Sequence, residues 1–237
     1  NSTRNPAVLD KDMNVEGIQH DFDYRTGIWR TRWQLQDSDV WTNFTANHCG
    51  YLRQTGAVYA TVRGTAQASS VNNDPVTAKA GQSEAAGTYA INRAAMGFDT
   101  SALPDGANIV AADLYIWAQA AAASWPRQWN LTVLENDNLA DVLVDWDYSD
   151  LLGFSQIAGQ LSSDDLPITP TANGWIRIPL NAVGIAQINK TGTTYFGLIS
   201  SKDYSDNSAP GAATIESLDF DGGGGSNKPI LAVKTAV

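Results

Sequence analysis

Alternation of apolar and polar residues with a period of two, interrupted by turn-forming clusters, governs what this chain can fold into. In IVAADLYIWA, residues 109–118, Ala112, Leu114 and Ile116 fall on one side and Asp113, Tyr115 and Trp117 on the other. That is the pattern of a strand with one buried face. WNLTVLE sets Trp129, Leu131 and Val133 together, and GWIRIPLN sends Ile176, Ile178 and Leu180 one way, Trp175 and Arg177 the other. GAVYATVRG reads as a further strand with Val58, Ala60 and Val62 on one face, and TYFGLISS and KPILAVKTAV complete the set. Pro104, Asp105 and Gly106 make a polar corner ahead of the 109–118 run, a composition suited to chain reversal. Runs of this kind between turn clusters predict an all-β protein, an antiparallel β-sandwich.

Helix is expected in one or two short pieces. Asn181 can cap a turn presenting Val183, Ala186 and Ile188, and DLLGFSQIAGQL places Phe154, Ile157 and Leu161 at helical spacing despite two glycines. DGGGGSNKP, residues 221–229, reads as a flexible loop. It is no phosphate cradle, because a strand rather than a helix follows. Residues 1–36 are polar and irregular, an N-terminal arm or a few peripheral strands too short to enclose a core, and residues 37–237 form the sandwich domain.

Charge narrows the partners. Fifteen basic residues against 25 acidic give a net charge of −10, a field that repels a phosphate backbone. YRTGIWRTRW carries three arginines among aromatics but reads as a strand or arm with one solvated edge, so no nucleic-acid partner is expected. No apolar run reaches the length of a membrane span, and membrane insertion is not expected. The one cysteine, Cys49, has no partner for an internal disulfide.

The segment YAINRAAMGFDTSALPDGANIVAADLYIW, residues 89–117, resembles the centre of the DNRLRE-type module, a carbohydrate-binding-module-like jelly roll. The matching positions are Arg93, Phe98, Asp99, Ser101, Pro104, Ile109, Ala112 and Leu114. GWIRIPLNAVGIAQINKTGTTYFGLISSKD is similar to the family's strand, short helix and strand, and SNKPILAVKT to its closing strand. The resemblance covers residue 37 to the C terminus, except that WTNFTANHCGYLRQTG departs from the pattern. It implies a jelly-roll sandwich, an extracellular or virion-surface location, and a non-catalytic sugar-binding or structural role. Relatives of this kind occur in secreted polysaccharide-degrading proteins and in structural proteins of tailed bacteriophages.

Catalytic assemblies find little support. HCG pairs His48 with Cys49, but neighbours on a strand face opposite ways and seldom form a dyad. GFSQIAG has Ile157 where a nucleophile elbow needs its second glycine. Neither HExxH nor CxxC occurs, and the aspartates of DVLVDWDYSD and SSDDLP read as turn residues. The chain is therefore expected not to be an enzyme.

Two sets of residues are candidates for binding. Eight tryptophans are many for this length, and flat rings stack on sugar faces while polar neighbours hold hydroxyls. Tyr115 and Trp117 point outward about 7 Å apart by strand rise, as do Trp175 and Arg177. If those strands are adjacent, the four side chains make one glycan platform. Trp125 and Arg127 of SWPRQW form a second candidate, with Trp129 turning inward. For a metal, Asp203 and Asp206, or Asp219 and Asp221, offer the hard oxygens a structural calcium takes, against the plainer reading of solvated turn residues.

The expected function is a surface-displayed sandwich that binds a polysaccharide or cell-surface glycan, or serves adhesion. The alternative is a structural virion or filament protein, with the arm and outer aromatics making contacts to further copies or to other virion proteins. A polysaccharide-active enzyme is the third and weakest reading.

Overall fold

The computed structural model describes residues 13–23, 28–37, 39–123, 128–134, 142–145, 147–153, 156–162, 173–206 and 214–236. Strands β1 (Met13–Asp23) and β2 (Ile28–Asp37) pair antiparallel in a two-stranded sheet of their own. The other strands belong to one 11-stranded sheet. In chain order they are β3 (Asp39–Gly56), β4 (Ser70–Asn72), β5 (Thr77–Ala85), β6 (Thr88–Asp99), β7 (Asn108–Ala123) and β8 (Gln128–Leu134). They continue with β9 (Ile157–Ser162), β10 (Gly174–Pro179), β11 (Thr193–Ser200), β12 (Thr214–Asp221) and β13 (Ile230–Ala236). The described pairings are all antiparallel.

Two long strands turn this sheet into a sandwich. β3 pairs with β13 through residues 39–45, then with β6 through residues 46–56. β7 pairs with β13 through residues 108–115 and with β12 through 118–123, while β10 lines its opposite edge. One layer therefore runs β3–β13–β7–β10 and the other β4–β3–β6–β11–β8–β9, with β12 and β5 linking them. Between the layers lies a single core. Phe44, Leu114, Ile116, Ile178, Leu231 and Val233 come from the first layer, and Met96, Phe98, Trp129, Leu131, Phe196 and Leu198 from the second. The inward sets expected in residues 109–118, 129–133 and 175–180 face this core, with Trp129 fully buried, while on β8 the opposite-face Asn130 and Thr132 are buried as well.

The corner before β7 is closed by a hydrogen bond from the Ala107 amide to the Pro104 carbonyl at 2.8 Å. Asp99 accepts from the Ser101 amide and hydroxyl, and these bonds hold its carboxyl below the usual range.

Four short helices are described: α1 (Tyr59–Gly64), α2 (Asp147–Gly153), α3 (Ala182–Ala186) and α4 (Ser201–Tyr204). α3 is the helix expected after Asn181, whose side chain accepts from the Gly184 amide at 3.0 Å. α1 corrects the strand expected at 57–64. Val58 and Ala60 are exposed, whereas Tyr59 meets Tyr89 edge to face, Val62 is buried and Arg63 reaches α4. Those three lie at i, i+3 and i+4, one face of a helix. The helix expected through Leu161 also needs correction, since α2 ends at Gly153 and residues 157–162 are strand β9. Pairing with β8 along the sheet edge overrides the helical spacing there; Phe154 lies outside the described residues.

The glycine-rich stretch is docked rather than loose. The amides of Gly222, Gly223 and Gly224 donate to the carbonyls of Val76, Cys49 and Pro75 at 3.0–3.1 Å. Gly222 and Gly223 are buried. Among the described residues, no helix is long and apolar enough to cross a membrane.

Candidate functional site

The outward face of the β3–β13–β7–β10 layer gathers the aromatic residues. Antiparallel register sets Trp117 opposite Trp175 and Tyr115 opposite Arg177. Directly opposed side chains on one face lie within contact range. The Trp117 and Trp175 rings meet edge to face, centroids 5.5 Å apart, a favoured geometry for an aromatic pair. The condition set by the sequence, that β7 and β10 be neighbours, is met. Trp175 is 40% exposed, Tyr115 and Trp117 are half-buried, and the Arg177 side chain is 60% exposed.

Asp113, two residues before Tyr115 on the same face, lies almost wholly buried beneath Arg177 and accepts from its Nε at 2.9 Å. That hydrogen bond, opposed in part by desolvation and helped by the Asp113 charge, raises the guanidinium's pKa. The pair fixes the planar guanidinium beside the Tyr115 ring instead of leaving a free cation.

The same face continues onto β13 and β3. One row across the layer runs Thr45, Ile230, Tyr115, Arg177, and the next runs Asn43, Ala232, Asp113, Pro179. Trp41, 47% exposed, stands two residues beyond Asn43. Two shallow hollows mark this surface. Trp41, Asn43, Tyr115, Ile230 and Ala232 line one. Thr45, Trp175, Ile230 and the loop residues Gly225, Ser226, Asn227 and Lys228 line the other. Sequence reasoning missed the contributions of β3 and the loop. Trp41, Asn43 and Thr45 do alternate, but a β-bulge between Ala46 and His48 shifts the phase, so that Phe44 and Ala46 and then Cys49 point into the core.

No family model matches the chain, and no curated protein matches it. The platform therefore has to be judged on its own chemistry. It joins the exposed indoles of Trp41 and Trp175 and the half-buried rings of Trp117 and Tyr115 to a fixed guanidinium–carboxylate pair and the amides and hydroxyls of Asn43, Thr45, Ser226 and Asn227. Flat apolar faces ringed by directed donors and acceptors suit a ring-shaped, hydroxylated ligand. Trp125 and Arg127, the second candidate pair, lie outside the described residues.

Each of the four aspartates considered for calcium has a protein partner. Asp203 is fully buried and forms a two-pronged pair with Arg93, Nε to Oδ2 at 2.7 Å and Nη2 to Oδ1 at 2.9 Å. Asp206 stands 3.5 Å from Arg63 Nε. Asp219 accepts from Lys79 at 2.9 Å. Asp221 accepts from Gln119 and from the Asn227 amide and side chain. Among the described residues, no three His, Cys, Asp or Glu side chains converge as a metal site.

His48 and Cys49 do not act as a pair. His48 Nδ1 lies 3.3 Å from Asp74 Oδ2 on the surface. Cys49 points into the core, fully buried, and its thiol pKa is pushed far up, first by burial and then by the charge of Asp74. We expect the native thiol to resist an aromatic disulfide reagent and to react once per chain in denaturant. Rapid reaction of the folded protein would contradict this burial. The unfolded thiol ionises near pH 8.5 while the folded one stays neutral. Urea-unfolding stability should consequently fall as pH rises above about 8.5, by up to ~1.4 kcal/mol per pH unit for this group. A Cys49→Ala variant should lack that slope.

Proposed function

We propose that this chain is a non-catalytic β-sandwich displayed on a secreted protein or virion, and that it binds glycan on the outer face of the β3–β13–β7–β10 layer. The observation that carries the reading is the cross-strand block of Trp117–Trp175 and Tyr115–Arg177, with the guanidinium pinned by Asp113. A sugar ring laid on the indoles shields apolar surface from water. The fixed guanidinium can meanwhile donate to ring hydroxyls without first being ordered, which lowers the entropic cost of binding. The resemblance of residues 89–117 to the DNRLRE-type module supports the same class of ligand and an exposed location.

A glycan array followed by calorimetry tests this reading. Trp117→Ala and Trp175→Ala should each weaken binding at least tenfold, about 1.4 kcal/mol, with circular dichroism unchanged. Absence of binding by the intact chain, or binding unchanged from the parent in both variants, would defeat the platform. The structural-protein alternative draws on the same exposed rings. It would be favoured if light scattering found an oligomer that Trp41→Ala or Trp175→Ala dissolved.

A further inference from the structure

We propose that the platform takes an uncharged linear polysaccharide in mid-chain, spanning about five sugar units, with Trp41 holding the end remote from Trp175. This deepens the glycan-binding reading and rests on it.

The span follows from register. Trp175 opposes Trp117 on β7, while Trp41 opposes Lys234, which opposes Ala111 on β7. Between the two indoles the surface crosses three strand spacings and advances from residue 117 to residue 111, so the oblique distance is ~25 Å, the length of about five pyranose units. The two hollows meet at Ile230 along this line, giving one continuous track. Both are shallow, unlike a socket that encloses a terminal sugar. β10 and the first half of β3 are the edges of this layer among the described residues, which lets a chain leave on either side.

Charge selects the class. Arg177 is already matched by Asp113; among the described residues Lys228 is the one charged side chain lining the two hollows, and Lys234 stands opposite Trp41 at the far end of the track. The remaining polar lining consists of amides and hydroxyls. A polyanion would need a row of cations to offset desolvation and the net charge of −10. A neutral chain needs only hydrogen-bond partners.

The test is calorimetry on the intact chain with cello-, xylo-, manno- and chito-oligosaccharides of increasing length, and with oligogalacturonates as acidic probes. In at least one neutral series, affinity should rise at least tenfold between the trisaccharide and the pentasaccharide and then level off. Trp41→Ala should remove that gain and leave the trisaccharide unchanged, and Trp41→Phe should restore part of it. A disaccharide bound as tightly as a hexasaccharide, or equal loss at every length in Trp41→Ala, would overturn the span and leave glycan binding standing. Tighter, salt-sensitive binding of the oligogalacturonates would overturn the uncharged class alone. Failure of every probe to bind would remove the glycan reading itself.

Discussion

Replacing Asp203 with alanine should destabilise the fold by about 3–5 kcal/mol. Arg93 sits on the face of β6 turned away from the sandwich core and is fully buried. It packs over the Tyr148 ring at 3.9 Å and donates to the Tyr148 and Arg63 carbonyls as well as to Asp203. Burial alone would lower the guanidinium's pKa, and the charge and hydrogen bonds of Asp203 reverse the sign, so the net shift is upward. Asp203→Ala leaves that cation buried without a counter-charge. The reverse variant, Arg93→Met, should cost less, because Arg63 Nε remains 3.5 Å from Asp203 Oδ1. Combining Arg93→Met with Asp203→Ala should cost less than the two single losses summed, since removing the cation along with its partner leaves no uncompensated buried charge. Urea unfolding of the four proteins tests this. A loss under 1 kcal/mol in Asp203→Ala, or strict additivity in the double variant, would show that the pair does not hold α1, α2 and α4 to the sheet.

This clamp marks a limit of what the sequence discloses. The sequence offers Arg93 only as one of the positions that carry the resemblance, and Asp203 only as a candidate calcium ligand. Nothing in their spacing of more than a hundred residues says that they meet. The core was legible where burial is one-sided: Leu114 and Ile116, or Ile176 and Ile178, alternate because one face of the strand meets the other layer. The outward set Tyr115, Trp117, Trp175 and Arg177 followed from the same alternation. That β7 and β10 are neighbours did not, because strand order is decided by long-range pairing. Trp41 was hidden for a local reason, the bulge after Ala46 that changes the phase of β3. At 57–64 the sequence supports two readings, because Val58, Ala60 and Val62 alternate while Tyr59, Val62 and Arg63 fall at helical spacing. The helical face is chosen by Tyr89 and by the second apolar cluster of Leu52, Ile91, Leu143, Tyr148 and Leu151, which the chain supplies from afar.

Substituting alanine for Gly222 should both destabilise the protein and weaken the proposed site. A Cβ there would stand 2.4 Å from the Pro75 carbonyl oxygen, a backbone atom that cannot rotate aside. Forced shifts of this kind cost about 1–3 kcal/mol, and the Gly222 amide bond to Val76 would be strained with them. The loop that begins at Gly222 carries Gly225, Ser226, Asn227 and Lys228 into the hollow beside Trp175, and Asp221 fixes its far side by accepting from Asn227. Displacing its start should therefore move these donors relative to the indole. We expect a lower midpoint in urea and at least a threefold loss of affinity for any neutral oligosaccharide that binds, at temperatures where the variant remains folded. Asn227→Ala separates the two effects: it removes a lining side chain and one loop bond while leaving the Pro75 contact intact. It should weaken binding more than its smaller stability loss predicts. If Gly222→Ala bound sugar as well as the parent despite a lower midpoint, the loop would be a structural clasp between β12 and the 74–76 turn with no part in recognition.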